Sequence, residues 1–190
     1  SDEAYSDFVI DQNEFISFAN LDTEKKHTIV INSISKNFGI SGWRLGYVIT
    51  NPNLISELLK INQHLITCPP TILEYYIDKH FDEIISITKP QIKDLTLRRN
   101  QIAEYMNSLY LEFLPGTTTF YFFVSISKSK LNSEEFCWKL LQEYHVSTVP
   151  GIGYGKSCDR FIRVSIGSES IERVKKGLKI IANLISSTSN

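Results

Sequence analysis

The sequence predicts an α/β protein in two parts, and three observations point there. A short apolar run from His27 to Ile34, rich in Ile and Val, reads as a buried strand and leads into a turn dense in Ser and Gly. A long amphipathic pattern follows from about Pro90 to Tyr110. The remainder reads strand, helix, strand, strand, helix. A boundary near residues 88 to 90 would separate a first part that mixes strands and helices (1–89) from a second (90–190).

Each element has a local reason. Leu45 to Thr50 is a second strand. Asn51 and Pro52 then form an N-cap with proline in the first turn, opening a helix to about His64. Cys68, Pro69 and Pro70 break the chain and start another helix, ending near His80. From Pro90, the residues Ile92, Leu95, Ile102, Met106 and Leu109 recur at helical spacing, with Arg98 and Arg99 assigned to the wet side. Pro115 and Gly116 make a turn. Thr119 to Ile126, dense in Phe, Tyr and Val, is a strand, with Phe120 to Phe123 taken as core. Asn132 with Glu135 forms a capping box before a helix to Tyr144. Val146 to Val149 and Phe161 to Ile166 are strands. The last helix buries Ile171, Val174, Leu178 and Ile181, with Ser168 as its expected cap. The Ser-rich tail after Ile185 is expected to fray.

Composition narrows the function. The chain has 190 residues, 42% hydrophobic, with a net charge of −1 from interspersed signs. Such a chain can bury a core, and it shows no basic surface for nucleic acid and no polybasic membrane patch. No apolar run is long enough to span a bilayer and no secretory signal opens the sequence. Cys68, Cys137 and Cys158 are odd in number and widely spaced. A disulfide framework is not expected, and a reducing, cytoplasmic setting fits better. The histidines at 27, 64, 80 and 145 lack metal-ligand spacing, so no metal is expected. The chain opens at Ser1, Asp2, Glu3, Ala4 and Tyr5 without methionine, and reads as the middle of a protein or as a sequence cut there.

The stretch from Ser33 to Tyr47 carries the chemistry. It places Lys36 and Arg44 eight residues apart in a small-residue turn at the carboxyl end of a strand, where ligands bind in open α/β sheets. A lysine becomes a good nucleophile when burial and nearby positive charge favour the neutral amine. Arg44 can grip a phosphate bidentately, Ser33 can donate a hydroxyl to it, and Gly39, Gly42 and Gly46 let the backbone turn and approach closely. The set suits a pocket that holds a phosphate and a carbonyl compound together.

This stretch resembles the lysine signature of the class I/II aminotransferases, pyridoxal-phosphate enzymes of fold type I. The resemblance implies the carboxyl-terminal portion of that fold: the later part of the large cofactor-binding domain over 1–89 and the small domain over 90–190. Through it, Lys36 is expected to carry the cofactor, and Ser33 and Arg44 to bind its phosphate. Asp2 and Tyr5 match the family's upstream Asp-x-x-Tyr, the aspartate beside the pyridine nitrogen and the tyrosine on the phenolic oxygen. Phe161 to Ser165 resembles the segment whose arginine clamps the substrate carboxylate, which makes Arg163 the candidate and Arg160 its local competitor. Pro150 to Gly155 resembles the family's Pro-Gly-x-x-Phe-Gly loop, with Tyr154 where phenylalanine is usual.

The expected activity is transfer of an amino group between an amino acid and a 2-oxo acid. The alternatives are a decarboxylase or lyase using the same cofactor, and a non-catalytic domain of the same type. The family's preceding segment has no match in this sequence. A half-built sheet would therefore expose apolar edges and pair with further polypeptide, and the family usually works as a homodimer.

Overall fold

The computed structural model describes residues 1–9 and 15–189. They form two compact units, Ser1–Asp94 and Leu95–Asn190.

In the first unit, β1 (Val30–Ser33) pairs antiparallel with β2 (Gly46–Ile49), Val30 opposite Ile49 and Ser33 opposite Gly46. The amino-terminal residues lie along the other edge of β1. Ile31 N donates to Ser1 O at 2.9 Å, Glu3 N donates to Ile31 O at 2.8 Å, and Asp2 bridges Ile31 in the parallel sense. A single-turn helix, α1 (Phe18–Leu21), precedes β1, and another, α2 (Ile34–Asn37), follows it directly. Helix α3 (Pro52–Leu65) starts as its sequence predicts, with Asn51 Oδ1 accepting from Leu54 N at 3.0 Å and Pro52 in the first turn.

Helix α4 runs from Thr71 to Ser108 and contributes to both units. The sequence suggested two helices, ending near His80 and starting near Pro90. The structure is helical from Phe81 onward, ahead of Pro90, because Phe81 to Lys89 holds neither glycine nor proline to stop it. The end expected near His80 is met by a kink, where that residue leaves helical geometry with φ −117° and ψ 21°. Pro90 sits inside the helix, where it removes one backbone N–H without ending it.

The second unit is a three-stranded antiparallel sheet in the order β3 (Tyr121–Ser125), β5 (Phe161–Ser165), β4 (Val149–Pro150). Alternation along β3 and β5 sends Phe122, Val124, Ile162 and Val164 to one face. There they join Ile102 and Met106 of α4, Phe136 and Leu140 of α5 (Ser133–Tyr144), and Leu178 and Ile181 of α6 (Ile171–Ser187) in a single core. The predicted capping box is present: Asn132 Oδ1 accepts from Glu135 N at 2.9 Å and Glu135 Oε2 accepts from Asn132 N at 3.0 Å.

Three expectations change here. The cap of α6 is Ser170, whose hydroxyl accepts from Arg173 N, and not Ser168; it directly precedes Ile171, the first helical residue. The tail is tied down, because Ser129 and Thr188 hydroxyls bond at 2.7 Å and Lys130 N donates to Thr188 O at 2.8 Å. Arg99 is 5% exposed and lies on the dry side of α4. It stands seven residues after Ile92 and three before Ile102, so helical geometry puts it on their stripe.

The two units differ in how far they close. All four residues of β2 are exposed and α3 buries none. Tyr47, Val48, Ile49, Leu59 and Leu65 are among the exposed large apolar side chains. The apolar edges expected from the sequence are present in the first unit.

Candidate functional site

The lysine turn is built by β1 delivering its last residue, Ser33, as the cap of α2. Ser33 Oγ accepts from Ser35 N at 3.3 Å, and Asn32 Oδ1 accepts from Ser33 N at 2.7 Å. Lys36 then falls in the last turn of α2, half-buried, with Nζ 5.9 Å from the centroid of the Tyr5 ring. Tyr5 is in turn seated edge-on against Phe8, centroids 5.8 Å apart. Asp2 lies on the exposed flank of β1, its Oδ1 accepting from Ala4 N at 3.1 Å, which turns the chain from Asp2 toward Tyr5. The structure thus brings Asp2, Tyr5, Ser33 and Lys36 to β1 and its carboxyl end.

Arg44 belongs to the same unit but stands further along the turn. Its backbone is left-handed at φ 56°, its side chain is exposed, and Nη1 donates to Ser41 O at 3.0 Å. Trp43 packs edge-on against Tyr76, centroids 5.6 Å apart.

Of the three glycines in the turn, Gly46 has the firmest steric reason. A Cβ there would lie 2.6 Å from the Asn32 carbonyl oxygen across the β1–β2 pair. Gly46→Ala is expected to push the two strands apart and cost roughly 1–3 kcal/mol. A fall in the urea unfolding midpoint, followed by tryptophan fluorescence, checks this; an unchanged midpoint would remove the steric argument.

Arg163 lies on β5 in the second unit, opposite Phe123 on one side and Val149 on the other. Its guanidinium carbon is 4.3 Å from the Tyr121 ring centroid and 5.3 Å from that of Tyr154. Its Nε is buried with no hydrogen-bond partner among the described residues. Arg160 is different. Its guanidinium donates to the carbonyls of Ile126, Ser127, Ser129 and Leu131, so it staples the loop before α5. The local competitor of Arg163 therefore has its terminal nitrogens engaged by backbone carbonyls.

Local electrostatics follow burial. Burial raises the Asp7 carboxyl above its ordinary range, with Lys89 acting in the opposite direction. The Tyr47 hydroxyl is pushed up by burial and then by the negative charges of Asp7 and Glu3, so it stays a neutral donor. Burial also raises the Cys137 thiol, against a hydrogen bond with Thr148 at 3.1 Å. No group of three or more His, Cys, Asp or Glu able to hold a metal ion occurs among the described residues.

Sequence reasoning missed the ring environment of Arg163. Tyr121 was counted with the core, although its period-two alternation with buried Phe122 already puts it on the opposite face. Tyr154 was noted only as a departure from the loop pattern.

Comparison with known proteins supplies the family. The model for "aminotransferase class I and II" matches residues 1–181. A (5-formylfuran-3-yl)methyl phosphate transaminase of Methanocaldococcus jannaschii is 34% identical over 97% of this chain and 49% of its own length. An aspartate aminotransferase of Pyrococcus abyssi is 31% identical over 94% of this chain and 48% of its own length. Among solved structures, an aromatic aminotransferase from Pyrococcus horikoshii aligns with a TM-score of 0.87 at 28% identity, covering 98% of this chain and 50% of its own. A Methanococcus jannaschii protein similar in its active site to kynurenine aminotransferases aligns with a TM-score of 0.85 at 33% identity, covering 97% and 49%. The chain spans about half the length of the curated relatives it matches, and its fold is the corresponding part of theirs. With its lysine turn at the end of β1 and a family match over nearly its whole length, this chain belongs to the class I and II aminotransferase family.

Proposed function

We propose that this chain forms part of a pyridoxal-phosphate-dependent aminotransferase that moves an amino group between an amino acid and a 2-oxo acid. The observation that carries the reading is Lys36 at the carboxyl end of β1 with its amine beside the Tyr5 ring and Asp2 laid along the same strand. The donor set fits the cofactor group by group: an amine for its aldehyde, a carboxylate for its ring nitrogen, a phenol for its phenolic oxygen, and a hydroxyl with a guanidinium for its phosphate. Ser33 Oγ accepts from Ser35 N, which leaves its own proton to donate.

When bound, pyridoxal phosphate supplies an electron sink for the charge left as an amino acid loses its α-proton. In this reading Lys36 would hold the cofactor through its amine, and its Nζ would carry the proton taken from the substrate α-carbon. The Asp2 carboxylate keeps a proton on the pyridine nitrogen, Tyr5 donates to the phenolic oxygen, and Ser33 and Arg44 anchor the phosphate. Arg163 binds the substrate carboxylate through parallel N–H groups. Its unspent Nε supports this over Arg160, whose fork is already taken by carbonyls.

We assign 1–89 to the large cofactor-binding domain and 90–190 to the small domain. The exposed apolar residues of β2 and α3 support burial against further polypeptide, within a homodimer in the cytoplasm. No helix among the described residues is long and apolar enough to cross a membrane.

Borohydride reduction with pyridoxal phosphate, followed by peptide mapping, tests the central assignment. The expected result is a single tag on Lys36. A tag on another lysine, or none, ends the assignment of Lys36.

A further inference from the structure

The outer face of the second unit's sheet holds a cation between two rings. Tyr121 and Phe123 project there, opposite in sense to buried Phe122 and Val124. Tyr154 arrives separately, from the single turn Gly151–Tyr154 that follows β4, and its ring meets that of Phe123 edge-on at 5.1 Å. Between them stands Arg163, 4.3 Å from the Tyr121 centroid and 5.3 Å from that of Tyr154. Cation–π attraction acts through the flat faces of the guanidinium, whereas its hydrogen bonds lie in its plane. Rings can therefore hold the group without using any of its donors. The buried Nε without a hydrogen-bond partner among the described residues is what such a hold leaves behind.

We propose that Tyr121 and Tyr154 are positioning residues that fix the plane of the Arg163 guanidinium and keep its N–H groups free for a carboxylate. The inference rests on the carboxylate-binding reading of Arg163 given above. The ring of Tyr154 does the holding, and its hydroxyl is dispensable. Loss of one ring leaves Arg163 charged and in place on β5 but free to rotate, so carboxylate binding weakens without vanishing.

The test uses the nitrogen-15-labelled chain and the Arg163 Nε–Hε resonance, assigned by its disappearance in Arg163→Lys. Acetate is the probe. Tyr154 is 46% exposed, so Tyr154→Leu leaves the core untouched. In the wild type the resonance is expected to be ring-shifted and motionally restricted, and to move on addition of acetate. In Tyr154→Leu it should relax toward the position of a free arginine, gain fast motion, and bind acetate about fivefold more weakly, the size of a modest cation–π contact. Tyr154→Phe should restore both properties. An Nε–Hε resonance whose shift and mobility are the same in Tyr154→Leu as in the wild type overturns the clamp. A ring-shifted wild-type resonance that does not respond to acetate supports the clamp but overturns the carboxylate role of Arg163, so the two failures are distinct.

Discussion

Lys36→Ala is expected to abolish transamination in the enzyme that contains this chain, while leaving its stability within about 0.5 kcal/mol of wild type. The two halves of that expectation have separate causes. Lys36 sits half-buried in a four-residue helix, and the contact seen for its amine is the Tyr5 ring at 5.9 Å. Truncating it strands no buried partner, and alanine favours helix. The chemistry has no substitute. General acid–base work by a positioned side chain alone contributes roughly 10²- to 10⁴-fold, and covalent attachment is lost in addition. Lys36→Arg separates charge from chemistry: it keeps a cation beside Tyr5 but stays protonated and cannot take over either task. Both variants should therefore be inactive, with urea midpoints near wild type. Measuring 2-oxo acid formation alongside unfolding checks this, and normal turnover in Lys36→Ala would end the proposed mechanism.

The lysine turn was legible because its chemistry is local. Strand, cap, lysine and glycines follow one another within fifteen residues, from Ser33 to Tyr47, and the structure builds them from neighbours. Asn51 and Asn132 were readable for the same reason, since a cap bonds to a backbone N–H three residues away. What could not be read depends on contacts far apart in sequence. Arg160 looks like a surface charge until the loop from Ile126 to Leu131 folds over it and fills its fork with carbonyls. Tyr154 and Tyr121 meet Arg163 only after β3, β4 and β5 have paired. The tail after Ile185 read as frayed from its serines, yet the Thr188 hydroxyl bonds that of Ser129 and the backbone of Ser189 bridges Ser129. Helix α4 kinks at His80, where the first helix was expected to end, but the second begins ahead of Pro90, whose missing N–H removes one hydrogen bond and leaves the apolar stripe running on both sides of it.

Arg99 shows the same limit, and its replacement is expected to be the most damaging to the second unit's sheet. Charge alone suggested the wet side of α4. Position on the helix says otherwise, and in the structure the guanidinium is buried, 4.1 Å from the Phe122 ring centroid. Its Nε donates to Thr118 O and Thr119 O at 3.1 Å each, and Nη2 donates to Tyr121 O at 3.4 Å. Burial pushes its pKa below the ordinary arginine range, yet a guanidinium in proteins keeps its charge. These bonds pin Thr119, whose φ of 64° is unfavourable for a β-branched residue, at the point where the chain turns into β3. Arg99→Ala removes the donors and leaves the carbonyls, at a cost of about 3 kcal/mol. Arg99→Met keeps the aliphatic stem against Phe122 and should recover only the packing share, less than half of the loss. A single ammonium cannot reach every acceptor spread across a planar fork but keeps part of the donation, so Arg99→Lys should fall between wild type and Arg99→Met. Urea midpoints in the order wild type, Lys, Met, Ala check the argument. Equal midpoints for Met and wild type would mean that packing, not the carbonyl bonds, holds the turn. Because Tyr121 is one of the pinned residues, the Arg163 Nε–Hε resonance should also lose its ring shift in Arg99→Ala, linking a buried charge on α4 to the guanidinium on β5 through one strand.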